Sequence, residues 1–187
     1  MSDQATQHGD GIHILMAEDS PTQAAGLKAI LTDKWEDVRW AKDGGEALKM
    51  MRQNRPTLVV SDIEMPVLTG YELSRVMKGD DSLRDVPIIL LTELASPNAI
   101  AQTIDSKADC LLMKPYDPER LFAVIDRVLR EASDRHPSAH NGNAAGATAC
   151  DVATERDRLR QLLRFALDEL ADQHRRLVAA EERLERM

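Results

Sequence analysis

Four short stretches hold residues able to do chemistry together: Glu18-Asp19-Ser20-Pro21, Asp62-Ile63-Glu64-Met65-Pro66 with Gly70 beyond it, Thr92-Glu93, and Lys114-Pro115. Each follows a short apolar run, so three carboxylates, a hydroxyl and an ammonium stand at comparable places in successive segments. Carboxylates gathered at one rim repel one another unless a cation joins them. A hard divalent ion that keeps several waters, such as Mg²⁺, needs only one or two of them directly. An acidic cluster with one lysine therefore suits metal-assisted phosphoryl chemistry. A carboxylate acts as nucleophile and forms an aspartyl phosphate, while metal and ammonium absorb the charge building on the transferred group. Taken singly, the same residues have plainer readings. Glu18 and Asp19 could merely favour the positive end of a helix, Asp62 could be a solvated turn residue, Thr92 a strand-end hydroxyl and Lys114 a surface lysine. Their joint placement is what selects the chemistry.

That placement depends on the elements between them. Ile12 to Ala17 reads as a buried strand, and Ser20-Pro21 supplies an N-cap and a first-turn proline for a helix reaching about Thr32. Val38 to Ala41 is a second, half-buried strand, and Asp43-Gly44-Gly45-Glu46 has capping-box spacing for a helix reaching about Asn54. Thr57 to Ser61 is β-branched and apolar on both faces, as a central parallel strand should be. A helix from about Gly70 to Lys78 precedes the strand Val86 to Leu91. Ser96-Pro97 and Asp117-Pro118 repeat the cap-plus-proline pattern and open helices on either side of a last strand, Cys110 to Met113. Strict alternation of strand and helix predicts an α/β fold, a doubly wound five-stranded parallel sheet with right-handed crossovers and helices on both faces. Ligands of such sheets bind beyond the carboxyl ends of the strands, where the strand order reverses.

In order and spacing, Glu18-Asp19-Ser20-Pro21, Asp62-Ile63-Glu64-Met65-Pro66 with Gly70, Thr92 and Lys114-Pro115 resemble a CheY-like response-regulator receiver domain, over roughly Gly11 to Ala132. The resemblance implies the flavodoxin-like strand order 2-1-3-4-5. It implies that Asp62 accepts phosphate from a histidine kinase or phosphotransfer protein. Asp19 would then ligate Mg²⁺ directly, Glu18 would help through water, and Glu64 would give its backbone carbonyl. Lys114 would pair with the phosphoryl oxygens, Thr92 would close on them after transfer, and the backbone amide of Glu93 would reach one of them. The Lys114-Pro115 bond is expected to be cis, which proline makes less costly. Two positions depart from the family pattern. Leu111 stands where a Tyr or Phe usually serves as an inward-turning switch, and Glu93 stands where Ala or Gly is usual. A carboxylate at Glu93 turned toward the site would oppose an incoming phosphoryl group, so slow or donor-selective phosphorylation is expected. His13, inside the first strand, receives no role.

The rest of the 187 residues is different in kind. Met1 to Gly11 is polar and unpatterned and reads as disordered, residues 12–132 as the receiver, and 133–150, small and polar, as a flexible linker. From 151 to 187, Leu163, Leu170, Leu177 and Leu184 recur every seven residues, with Leu159 at an alternate core position. This predicts a coiled-coil helix and a parallel homodimer, against the alternative of an amphipathic helix folded back on the receiver. The heptads reach the last residue, so the chain reads as the front of a longer protein, with the helix passing the signal to a partner or to a downstream output domain. The net charge of −8 falls almost wholly on the first 131 residues, which excludes a basic nucleic-acid-binding domain. No apolar stretch is long enough for membrane insertion. Cys110 and Cys150, with no secretory signal peptide, predict a cytoplasmic protein without disulfides. A metal-dependent phosphohydrolase using Asp62 is the competing class, disfavoured because Glu64 stands where such enzymes carry a second aspartate. A pseudo-receiver acting only as a dimerising scaffold is a further alternative.

Overall fold

The computed structural model describes residues 11–93 and 97–135. Strands and helices alternate throughout: β1 (His13–Ala17), α1 (Pro21–Thr32), β2 (Asp37–Ala41), α2 (Gly44–Gln53), β3 (Leu58–Asp62), α3 (Gly70–Gly79), β4 (Ile88–Thr92), α4 (Pro97–Asp105), β5 (Cys110–Met113) and α5 (Pro118–Arg135). The strands form one sheet in the order β2-β1-β3-β4-β5, and every pairing is parallel. This is the flavodoxin-like, doubly wound order that the family resemblance implied.

The period-two alternation of the strands explains the two cores. Ile14, Met16, Val60, Leu91 and Leu112 point to one face, where Leu27 and Leu31 of α1 and Leu121, Ile125 and Val128 of α5 cover them. Leu15, Ala17, Val59, Leu90 and Leu111 point to the other, under Ala47 and Met51 of α2 and Leu73 and Met77 of α3. Because both faces are covered, β4 is buried along its whole length.

The caps form with one rearrangement. Ser20 accepts from the Gln23 N–H at 3.4 Å with Pro21 opening α1, and Asp43 accepts from the Glu46 N–H at 2.7 Å. The Glu46 carboxylate, however, reaches back to the N–H of Lys42 at 2.9 Å rather than that of Asp43. Thr69 and Glu72 form a complete reciprocal capping box at the start of α3.

Strand limits differ from the sequence expectation by one or two residues, and the shift matters for the site. The parallel register pairs Asp62 with Leu91 and Thr92 with Met113, so Asp62 and Thr92 are the last residues of β3 and β4 rather than the first residues after them. α5 continues to Arg135, past the expected boundary at 132. Its sequence has no breaker before Pro137, and the Ser133 hydroxyl bonds the Leu129 carbonyl one turn back at 3.0 Å. The expected disordered terminus, most of the linker, and Leu159, Leu163, Leu170, Leu177 and Leu184 lie outside the described residues.

Two glycines hold the packing close to the sheet's carboxyl edge. A Cβ on Gly70 would lie 2.4 Å from the carbonyl oxygen of Asp62, and one on Gly44 would lie 2.5 Å from that of Leu68. Only glycine lets α3 start directly against β3.

Candidate functional site

The strand order reverses between β1 and β3, and the crevice beyond their carboxyl ends is where the acidic residues meet. Glu18 and Asp19 follow β1, and Asp62 ends β3 beside it. One carboxylate oxygen from each lies within 4.8 Å of the others. Lys114, just past β5, brings its ammonium in from the far side, 2.8 Å from Asp62 Oδ1 and 3.2 Å from Glu18 Oε2. A third acceptor, Gln23 Oε1 on α1, sits 2.6 Å from the same ammonium. The Lys114 backbone N–H donates to the Thr92 carbonyl at 2.6 Å, which anchors the lysine to β4, and the Lys114-Pro115 bond is cis as expected.

Burial grades across the cluster. Glu18 is 1% exposed, Asp62 is partly exposed and Asp19 faces solvent. Burial pushes the Glu18 carboxyl above its ordinary range; the Lys114 ammonium pulls it down, and the neighbouring Asp62 charge pushes it up again. For Lys114, burial alone would disfavour the ammonium, but the hydrogen bond and charge of Asp62, reinforced by Glu18, outweigh it and raise its pKa. Lys114 is therefore a fixed positive charge inside an acidic cluster. The donor set is all oxygen, tightly grouped and open on the Asp19 side, where waters can complete a coordination shell; it fits a hard divalent cation such as Mg²⁺.

The remaining expected site residues fall into place unevenly. Thr92 is buried at the end of β4, adjacent in register to the strand carrying Asp62. The Glu64 and Glu93 side chains are exposed. Leu111 is buried in the α2/α3-side core, so the position that would hold the family's movable ring is filled by packed aliphatic volume. A ring does reach α4, but from α3. Tyr71 is buried in the same core, and its hydroxyl donates to the Ala99 carbonyl at 3.3 Å. The Arg75–Asp105 pair at 2.7 Å ties the same two helices further along, and Ser74 Oγ donates to the carbonyl of Ser106, just past α4, at 2.9 Å.

Two contacts were not visible in the sequence pattern. The Trp40 indole N–H donates to the Glu18 backbone carbonyl at 2.8 Å and steadies the acidic turn from β2, and Gln23 reaches Lys114 across the mouth of the site. Both are single polar groups near strand or helix ends, and only the strand order says what they face. His13, left without a role, bonds Asp37 through its ring at the opposite end of the sheet.

The response regulator receiver domain family matches residues 14–126, spanning all five strands and the acidic cluster. The chain belongs to this family. Among solved structures, it is similar to the signal receiver domain of a signal transduction histidine kinase from Syntrophus aciditrophicus. That match has 34% identity and a TM-score of 0.61, covering 73% of this chain and 98% of that one. It is also similar to the chemotaxis response regulator CheY4 of Vibrio cholerae, with 31% identity and a TM-score of 0.59, covering 63% and 98%. Among longer relatives, response regulator PleD of Caulobacter vibrioides is 32% identical over 181 residues, 90% of this chain and 40% of that protein. The DNA-binding response regulator MtrA of Mycolicibacterium smegmatis is 33% identical over 121 residues, 65% of this chain and 52% of that protein. The chain thus spans about half or less of these two regulators. Receiver domains generally bind Mg²⁺ at an acidic pocket, and response regulators typically interact with histidine kinases or phosphotransfer proteins. No helix among the described residues is long and apolar enough to cross a membrane.

Proposed function

We propose that this receiver is a phosphorylation-controlled signalling module of a two-component system, with Asp62 as phosphoacceptor for a histidine kinase or phosphotransfer protein. The observation that carries the reading is the grouping of Glu18, Asp19 and Asp62 within 4.8 Å, with the Lys114 ammonium 2.8 Å from Asp62. When bound, Mg²⁺ supplies positive charge that offsets the carboxylates and the phosphoryl oxygens. Asp19 would ligate it directly, Glu18 would act through a bound water, and the Asp62 carboxylate and Glu64 carbonyl would complete the protein donors.

An Asp62 carboxylate oxygen forms the new P–O bond as the donor's bond to phosphorus breaks, P–N in a phosphohistidine and P–O in an acyl phosphate, and the imidazole or carboxylate leaves with that electron pair. Lys114 then pairs with a phosphoryl oxygen, Thr92 closes on another, and the Glu93 amide serves a third. The exposed Glu93 carboxylate at the rim slows small anionic donors. A phosphate brings about −1.5 to −2 charge and three acceptor oxygens, enough to bias loops between two packings. The signal passes from the receiver (12–132) through the linker (133–150) to a coiled-coil helix (151–187), whose heptad leucines support a homodimer. We place the protein in the cytoplasm.

Incubating the full chain with Mg²⁺ and a small acyl phosphate tests the reading. One acid-stable, base-labile phosphate per chain is expected, absent in Asp62→Asn. No incorporation from any donor would leave a pseudo-receiver, and turnover of a small phosphoester would instead indicate a phosphohydrolase.

A further inference from the structure

Lys114 is the hub of the site, and one of its partners is not a carboxylate. An ammonium has three hydrogens to give. Here they meet Gln23 Oε1 at 2.6 Å, Asp62 Oδ1 at 2.8 Å and Glu18 Oε2 at 3.2 Å, so its donor capacity is fully used. The shortest of the three bonds is to the neutral group. Gln23 stands in the first turn of α1, where its own N–H donates to the Ser20 cap. Its exposed side chain spans from α1 to the residue after β5, at the mouth of the site, and the Lys114 side chain it meets is 15% exposed.

We propose that Gln23 is a positioning residue for Lys114. Its carboxamide oxygen holds the third ammonium hydrogen at the mouth of the site and yields that hydrogen to a phosphoryl oxygen when Asp62 is phosphorylated. This rests on the reading of Asp62 as phosphoacceptor. Two anionic carboxylates draw the ammonium inward, where it would neutralise the nucleophile and lie away from an arriving phosphoryl group. A neutral oxygen on the outer side opposes that pull without adding charge to the acidic cluster. When the phosphoryl group arrives, the exchange is downhill, because its anionic oxygen adds a charge–charge attraction to the ammonium that the neutral amide oxygen lacks. A glutamate at this position would bind the ammonium too firmly to release it and would place another carboxylate in the donor's path.

The test uses the full chain as Gln23→Leu, Gln23→Glu and Asp62→Asn, with two readouts. In metal-free protein, the ¹H–¹⁵N signal of the Lys114 ammonium is followed at low temperature. With Mg²⁺ and acetyl phosphate, the incorporation rate is measured across donor concentrations. For Gln23→Leu, the Lys114 signal should shift and broaden. The rate at saturating donor should fall about three- to tenfold, the factor carried by one ordinary net hydrogen bond, with half-saturation and melting temperature unchanged. Gln23→Glu should retain a sharp ammonium signal yet phosphorylate more slowly still. An unchanged signal together with an unchanged saturating rate in Gln23→Leu would overturn the proposal, as would a loss confined to half-saturation. If the parent takes no phosphate, or Asp62→Asn still takes it, the phosphoacceptor reading has failed and the functional half of the proposal with it. The metal-free signal then reports the Gln23–Lys114 contact alone.

Discussion

Removing the Lys78 ammonium should unfold this domain more readily than any change at its surface. Lys78 lies in the last turn of α3 and Asp109 precedes β5; their side chains are 5% and 4% exposed and their charged atoms are 2.8 Å apart. The ammonium also donates to the carbonyls of Val86 at 2.8 Å and Arg84 at 3.1 Å, while the Asp109 carboxylate accepts the Ile88 N–H at 3.0 Å. One lysine thus ties α3, the chain entering β4 and the chain entering β5 at the end of the sheet opposite the acidic cluster. Lys78→Met keeps the stem and removes the charge. It leaves a buried carboxylate without the lysine's charge and two carbonyls without the ammonium they accept from. Breaking a buried ion pair in this way costs about 3–5 kcal/mol.

Asp109→Asn should cost less, about 1–3 kcal/mol, because an amide oxygen can still accept from Ile88 and the ammonium keeps both carbonyls. The double variant removes both charges at once and should cost less than the sum of the singles by about 1 kcal/mol or more. Urea unfolding of the full chain, followed by the emission of Trp35, gives these values from midpoints at constant slope; Trp35 is 2% exposed and lies edge-on to Phe122. A Lys78→Met midpoint within about 1 kcal/mol of the parent, or strictly additive singles, would refute the reasoning, since it would mean that water solvates the pair in the folded state.

Gly70→Ala should cost about 1–3 kcal/mol by the same assay, because its Cβ would press on the backbone of Asp62 and Ile63, whereas Gly79→Ala, with nothing within 4 Å, should not destabilise. Mg²⁺ titration should change tryptophan emission through the Trp40 indole bonded to the Glu18 carbonyl; the change should survive Trp35→Phe and vanish in Trp40→Phe. Tyr71→Phe removes the hydroxyl bonded to Ala99 and should speed amide exchange in α4 by about fivefold while leaving β1 unchanged; equal exchange in both variants would deny Tyr71 its place in holding α4. The Asp37 carboxyl lies below its ordinary value of 3.8, chiefly through its hydrogen bond from His13, with Arg39 adding to it. Its stabilisation is therefore complete above pH 3.8 and fades as pH falls through the lower folded value. The stability gap between parent and Asp37→Asn should hold above pH 3.8 and narrow as the pH falls below it, and a constant gap would refute the linkage.

The element order was open to reading because four strands are short apolar runs and β2 a half-buried one, with Ser-Pro, Asp-Pro or glycine at the helix starts, and these are local causes. The acidic site was legible for a related reason. Parallel strands put all their carboxyl ends on one edge, so Glu18, Asp19, Asp62, Thr92 and Lys114 could be assigned to one rim without knowing which strands touch. The limits of β3 and β4 were less legible, because register against the neighbouring strand, and not apolar composition, decides that Asp62 and Thr92 are still paired residues.

Pairings across distance belong to the tertiary structure alone. Lys78 and Asp109 are 31 positions apart, and neither stands out among the charged residues around it. They meet because α3 packs against β4, beside the chain entering β5, where a buried lysine is tolerable only beside that carboxylate. Gln23 and Lys114 are 91 positions apart, and their contact needs α1 and β5 to converge on the one crevice where the strand order reverses. By itself, the sequence determined which residues could do chemistry and on which edge of the sheet they stand, because strand direction and capping are local. The fold decided which of them touch, how deeply each is buried and therefore how each is charged, because those depend on which strands are neighbours and on the water their packing excludes.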